Sequence, residues 1–285
     1  MRIIQNTVDM REASRGLRRV GKRVGFVPTM GALHEGHLSL VRAAKTQCDV
    51  VAASIFVNPT QFGPNEDFSK YPRTFERDCE LFTKEGIELL FAPAVEEMYP
   101  AGAVTYVTVE SMSERLCGKS RPGHFRGVTT VVSKLFNIVE PDVAFFGQKD
   151  AAQVAIIRRM VRDLNIPVEI AVCSIVREAD GLAMSSRNTY LDPQQRKAAL
   201  VLYKSLQEMK HCFESGESNT GKLAEQGRKV FAQEPSVRLD YLEIVDPDNL
   251  EAIGKIDNTA LVAVAAFLGA TRLIDNMVLL RKSVP

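Results

Sequence analysis

The segment PTMGALHEGH, residues 28–37, brings two imidazoles three positions apart, flanking Gly36 and preceded by Gly31, directly behind an apolar run that ends at proline. Three chemistries suit that pattern. His34 and His37 placed on one helix would share a face and could hold a metal. Metalloprotease helices, however, space their histidines by four and add a glutamate base, and no third ligand stands out. A phosphate site has a more specific basis. Where a strand gives way to a helix, unpaired N–H groups and the helix dipole favour anions. Gly31 and Gly36 let the backbone approach a ligand, and imidazoles can donate hydrogen bonds to phosphate oxygens. The third reading is a plain helix start carrying surface histidines.

Four further stretches have residue types suited to chemistry. Asn58-Pro59-Thr60-Gln61-Phe62-Gly63 offers two amides that can read hydroxyl or carboxylate groups, or is a solvated Pro-Gly turn. Gly147-Gln148-Lys149-Asp150 carries a compact cation at a helix start, with Gln153 close by; Asp150 is also a plain N-cap residue. Met184-Ser185-Ser186-Arg187-Asn188 combines hydroxyls and a guanidinium suited to a triphosphate, or is a polar interdomain loop. Arg121-Pro122-Gly123-His124-Phe125-Arg126-Gly127 places two arginines and a histidine where they can receive carboxylates, or simply face water. No Walker A or G-x-G-x-x-G pattern occurs.

The elements that must position these groups follow from periodicity. Residues 24–28, 49–57, 86–93, 142–146 and 167–176 read as buried strands, and 105–110 alternates as an edge strand. Residues 36–46, 73–84, 127–138 and 150–164 read as helices. Strands alternating with helices imply a parallel sheet covered on both faces, whose ligands lie outside the carboxyl ends of the strands. Beyond residue 176 the pattern changes. Residues 194–213 and 222–232 read as helices, 239–245 as a half-buried strand, and 260–269 with 272–280 as antiparallel strands. The expected division is 1–176 and 177–285.

The composition agrees with an ordinary soluble globular protein. In 285 residues, 45% are hydrophobic and 25% charged, and the net charge of +1 argues against bulk attraction to nucleic acid or membrane. The N-terminal residues lack the apolar core of a signal peptide, and the longest apolar run, 260–270, is too short to span a bilayer. Five scattered cysteines without a C-x-x-C pattern suit a reducing cytoplasm rather than a disulfide framework or zinc site.

His34-Glu35-Gly36-His37 resembles the His-x-Gly-His element of the nucleotidyltransferase superfamily. Met184-Ser185-Ser186-Arg187 is similar to its Lys-Met-Ser-Lys-Ser signature, with Ala183 at the first lysine and Arg187 near the second. The ordered stretches PTMGALHEGH, FVNPTQFGPNEDFSKYPRT, RPGHFRGV, FFGQKDAAQ and LAMSSRN resemble, over nearly the whole chain, the pantoate–β-alanine ligase family. Thr60 departs from the Met or Leu of many members.

The resemblance implies a Rossmann-like α/β domain, binding nucleotide and pantoate, followed by a smaller α+β C-terminal domain that acts as a lid. It also implies ATP-dependent condensation of pantoate with β-alanine through a pantoyl adenylate, with Mg²⁺ accompanying ATP, in a cytoplasmic homodimer. By that resemblance ATP is held by Met30, Gly31, Ala32, Leu33, His34, Glu35, Gly36 and His37, by Gly147, Gln148, Lys149 and Asp150, by Val176, and by Met184, Ser185, Ser186 and Arg187. Gln61 and Gln153 hold pantoate, and Gln61 also serves β-alanine. His34, His37 and Lys149 are the catalytic set, His37 being the proton donor, and no protein-held metal is implied.

Two other functions use some of the same residues. Another nucleotidyltransferase, acting on a phosphate acceptor, would keep the histidine element. It would not be expected to need both the Asn58/Gln61 stretch and the loop at 121–127. A synthetase-like RNA-binding module is disfavoured by the near-neutral charge and the absence of a basic tract.

Overall fold

Residues 1–64 and 66–281 are described by a computed structural model. In chain order the elements are β1 (Arg2–Ile4), α1 (Thr7–Arg19), β2 (Val24–Thr29), α2 (Glu35–Gln47), β3 (Val50–Ile55), α3 (Phe75–Glu85), β4 (Leu89–Phe91), α4 (Val95–Met98), α5 (Cys117–Ser120), α6 (His124–Val139), β5 (Val143–Gly147), α7 (Ala151–Asp163), β6 (Glu169–Cys173), α8 (Pro193–Ala198), α9 (Leu200–Glu214), α10 (Thr220–Ala232), β7 (Val237–Val245), β8 (Thr259–Leu268) and β9 (Thr271–Leu280). The chain forms two compact units. The first comprises Met1–Glu114, Gly118–Gly147 and Ile156–Ser174; the second comprises Arg115–Cys117, Gln148–Ala155 and Ile175–Pro285.

The first unit is built on a six-stranded sheet in the order β1-β4-β3-β2-β5-β6, with every neighbouring pair parallel. This Rossmann-like sheet is covered on both faces. Phe145 of β5 packs in a cluster with Leu38, Val41 and Ala44 of α2. The next residue, Phe146, meets Phe136 of α6 edge-on at 6.5 Å between ring centroids. Successive strand residues point to opposite faces, so α2 and α6 lie on opposite sides. That double covering is why β2 and β3 carry unbroken apolar runs instead of alternating ones.

Strand order reverses between β2 and β5. From β2 the sheet grows outward through β3 and β4 on one side, and from β5 through β6 on the other. Ligands of open α/β sheets bind beyond the carboxyl ends at such a reversal. Pro28 fits there because the β2–β5 ladder ends at Phe26 opposite Ala144, so its missing N–H takes no bond from that side.

The second unit has an antiparallel sheet, β7-β8-β9. Its core joins Leu202, Leu206 and Met209 of α9, Leu223 and Phe231 of α10, and Val262, Val264 and Leu273 of the sheet. Among the described residues, no helix is long and apolar enough to cross a membrane.

Two expectations need correction, and one segment had none. Residues 105–110 form no strand. The backbone of Val107 is taken instead by α6: its N–H donates to Thr130 Oγ1 at 3.0 Å, and its carbonyl accepts from Thr129 Oγ1 at 2.6 Å. The helix expected over 194–213 is two helices, α8 and α9, meeting at Ala199. There the Leu202 N–H reaches back only three residues, to the Ala199 carbonyl at 3.2 Å, the tighter 3₁₀ pattern. The N-terminal residues, given no element from sequence, form β1 and α1. Helix α1 buries only Met10 and Ser14, so its apolar stripe is too thin to register as a period.

Candidate active site

The loop after β2 is shaped by one buried carboxylate. Asp78, in the first turn of α3 and 1% exposed, accepts the N–H groups of Ala32 and Leu33, each at 2.9 Å, and the Thr74 hydroxyl at 3.2 Å. Gly31 and Ala32 both have positive φ, 79° and 51°. A side chain at 31 would be strained, and its Cβ would lie 2.9 Å from Asp78 Oδ2. Thr29 completes the turn, donating to the Ser54 carbonyl at 2.7 Å and accepting the Gly31 N–H at 3.2 Å.

His34 does not lie on the helix, as its spacing from His37 suggested; it caps it. Its Nδ1 accepts the Gly36 N–H at 3.2 Å, and His37 Nδ1 accepts the His34 N–H at 3.3 Å. The pair forms a capping box written in imidazoles. A neutral ring that accepts through Nδ1 carries its proton on Nε2. Each histidine can therefore donate from Nε2 while its other nitrogen satisfies the helix start, and the ring centroids lie 4.1 Å apart. No group of three or more His, Cys, Asp or Glu side chains able to hold a metal occurs among the described residues.

The Asn58 turn adjoins this loop. Gln61 Nε2 lies 3.0 Å from Met30 Sδ. Asn58, fully buried, donates to Gln61 Oε1 and to the Gly127 carbonyl, both at 3.1 Å. Its own Oδ1 accepts the Tyr99 and Thr60 hydroxyls at 2.9 and 3.0 Å. Thr60 thus joins the polar network through a hydroxyl that Met or Leu lacks. Burial pushes the Tyr99 phenol above its ordinary pKa, partly offset by the Thr60 and Asn58 hydrogen bonds. Gly127 is required by contact: a Cβ there would stand 2.3 Å from the Thr60 carbonyl oxygen.

The Arg121–Gly127 loop already has a carboxylate. Arg121 grips Glu66 at 2.5 and 2.7 Å. Burial works to raise the Glu66 pKa, but hydrogen bonds and charge from Arg121, with lesser help from the Gly63 amide and His124, hold it below the ordinary carboxylate range. Arg121 also contacts His124 Nε2 at 3.0 Å, and His124 Nδ1 meets the Gln61 carbonyl at 2.8 Å. This loop therefore holds the backbone of Gln61. Arg126 stacks over the Tyr106 ring at 4.7 Å.

The remaining expected residues, apart from Gly147 at the end of β5, belong to the second unit. Gln148–Asp150 form a 3₁₀ turn leading into α7, which carries Gln153. Lys149 Nζ lies 3.5 Å from Asp150 Oδ1. Val176 and Met184 are neighbours, the Met184 N–H donating to the Val176 carbonyl at 3.0 Å beside the Arg177–Ala183 bridge. Ser186–Tyr190 form another 3₁₀ turn, capped by Ser185, whose Oγ accepts the Arg187 N–H at 3.3 Å.

A family model described as pantoate-beta-alanine ligase matches residues 2–278. The chain belongs to this family. A pantothenate synthetase from Koribacter versatilis is 60% identical over 98% of this chain and 96% of its own length. The pantothenate synthetase structure from Thermus thermophilus superposes with a TM-score of 0.92 at 46% identity, covering 97% of this chain and 99% of that one. The pantoate-beta-alanine ligase structure from Francisella tularensis, complexed with beta-gamma ATP and beta-alanine, matches at 35% identity with a TM-score of 0.80, over 97% of each chain. The chain is a ligase of this family and joins pantoate to β-alanine at the expense of ATP.

Sequence reading missed Asp78, Glu66, Arg177, Asp275 and Asn276. Asp78 left a signal: it falls between Phe75 and Phe82 at helical spacing, on the buried side of α3. Adjacent buried polar residues on the apolar strand β9 were a second.

Removing the Asp78 carboxylate orphans two backbone donors. Asp78→Ala is expected to lower stability by about 1–3 kcal/mol for each N–H left without a partner, and ligase activity with it. Urea unfolding checks this, and an unchanged midpoint with full turnover would refute the clamp. At His34, the cap and the Nε2 donor can be separated. His34→Asn keeps a capping acceptor and the melting temperature but loses activity, whereas His34→Ala loses both, the cap being worth about 0.5–2 kcal/mol. Full turnover by a folded His34→Asn enzyme would show that the ring only caps.

Proposed function

We propose that the reaction runs in two steps at the residues named above. A pantoate carboxylate oxygen attacks the α-phosphorus of ATP, the bond to the bridging oxygen breaks, and pyrophosphate leaves. The amine of β-alanine then attacks the acyl carbon of the pantoyl adenylate. AMP leaves with the electrons of the acyl–oxygen bond, the amine gives up a proton, and pantothenate results. The observation that carries this reading is the contact of Gln61 with Met30, which sets an amide able to orient a carboxylate against the loop built for phosphate.

Two anions must meet, so the chemistry needs cations and oriented donors more than a nucleophile. In this reading Met30–His37, Gly147–Asp150, Val176 and Met184–Arg187 bind ATP. His34 and His37 donate from Nε2 to phosphate oxygens, and Lys149 and Arg187 offset phosphate charge. His37 is the proton donor, its Nε2–H offered to the leaving pyrophosphate; Gln61 and Gln153 hold pantoate, and Gln61 also receives β-alanine. Mg²⁺ enters with ATP as part of that substrate. Residues 1–176 form the binding domain and 177–285 a lid that keeps water from the labile acyl adenylate. The dispersed cysteines support a cytoplasmic location, and the family resemblance supports a homodimer.

AMP release in the presence of ATP and Mg²⁺ should require pantoate and β-alanine together, while pyrophosphate exchange into ATP should require pantoate alone. Exchange that depends on β-alanine would rule out the free adenylate step. His37→Ala and Lys149→Ala are each expected to fold and to lose about 10²–10³ in kcat; near-normal turnover in either would remove its role. Gln61→Ala should chiefly raise KM for pantoate, since a buried amide contact is lost, and unchanged KM and kcat would count decisively against that assignment.

A further inference from the structure

The edge strand β9 carries two consecutive buried polar residues, Asp275 and Asn276, each 3% exposed, in a sheet whose other buried residues are apolar. Successive strand side chains point to opposite sides, and these two hold different loops. Asn276 Nδ2 donates to the carbonyls of Gln148 and Lys149, both at 2.9 Å, and its Oδ1 accepts from Gln148 Nε2 at 3.1 Å. Both amide hydrogens and the amide oxygen are thereby engaged on a single turn. Asp275 receives Arg177 in a two-pronged pair at 2.7 and 2.9 Å. The same guanidinium donates to the Gly181 carbonyl at 3.0 Å and stacks on Tyr203 at 4.2 Å. This fixes the hairpin in which Val176 and Met184 are bonded. The Asn276 N–H, on a strand edge, closes onto Asp275 Oδ1 at 2.7 Å.

A buried carboxylate and a buried amide are costly unless fully bonded, and here every side-chain partner apart from the Asn276 N–H lies in a loop or turn. Strand β9 is itself fixed by continuous pairing with β8, with Asn276 opposite Ala263 and Asp275 opposite Val264. We infer that Asp275 and Asn276 are positioning residues of the adenylation step, bracing the Gln148–Lys149 turn and the Val176–Met184 hairpin against one strand so that both present a fixed geometry to ATP. The inference rests on the assignment of those loops to ATP.

The test measures pantoate-dependent pyrophosphate exchange, KM for ATP, and reaction of preformed pantoyl adenylate with β-alanine. Asn276→Asp is nearly isosteric but turns an oxygen toward two carbonyl oxygens. Asp275→Asn breaks the charged pair with Arg177. Both should raise KM for ATP and lower exchange by about 10²-fold, the scale of a small displacement of a reacting group, while the preformed adenylate reacts within about twofold of the parent enzyme. Leu279→Ala, on the same strand within the apolar core, reports loss of stability alone and should leave exchange unchanged at a temperature where it is folded. Asn276→Ser, which keeps one donor, serves if Asn276→Asp does not fold, and should fall between parent and Asn276→Asp values. Combined with Lys149→Ala, the Asn276 substitution should add little further loss. Full additivity, an equal fall in the preformed-adenylate step, or a loss matched by Leu279→Ala would each overturn the inference. Normal exchange by Lys149→Ala alone would instead overturn the assignment of Lys149, and the positioning role with it.

Discussion

Backbone N–H and C=O groups that leave the end of a strand lose their ladder partners, and a buried loop survives only if something replaces them. In this chain the replacements are side chains. Asp78 takes two N–H groups of the loop after β2, Asn58 ties its turn to Gly127, the two histidines take the first amides of α2, and Asn276 takes two carbonyls before α7. Each of these four segments is fixed by side-chain hydrogen bonds. The cost of desolvating polar side chains is offset by loops whose geometry exists before substrate arrives, which is the condition for stabilising developing charge without reorganisation.

The same arrangement decides protonation chemistry. A neutral histidine that accepts a backbone amide through Nδ1 carries its proton on Nε2, so the capping box selects that tautomer in both rings. The local helix start and the histidine pair are one structure. Arg121 shows the opposite outcome. Its guanidinium is committed to Glu66, and together with His124 it supports the Gln61 backbone. A cation in a Gly/Pro loop thus supports the Gln61 backbone. The network around Asn58 gives Thr60 a place among hydroxyls, so its departure from the apolar residue of many family members changes local polarity and leaves Asn58 and Gln61 held.

Residue order alone determined the alternation of strands and helices, because buried parallel strands read as unbroken apolar runs and their helices as amphipathic ones. It also determined the family, through five ordered motifs. Segments whose stability comes from elsewhere were not legible: α1 with its thin apolar stripe, and residues 105–110, whose backbone is bonded by threonines of α6. The tertiary structure alone decided which polar residues are partners. Asp78 meets Ala32 across 46 positions, Gln148 meets Asn276 across 128, and Arg177 meets Asp275 across 98. Such pairs leave no period in the sequence, because a hydrogen bond between distant elements depends on where the sheet order carries each strand end, and that order is set by packing rather than by local residue pattern.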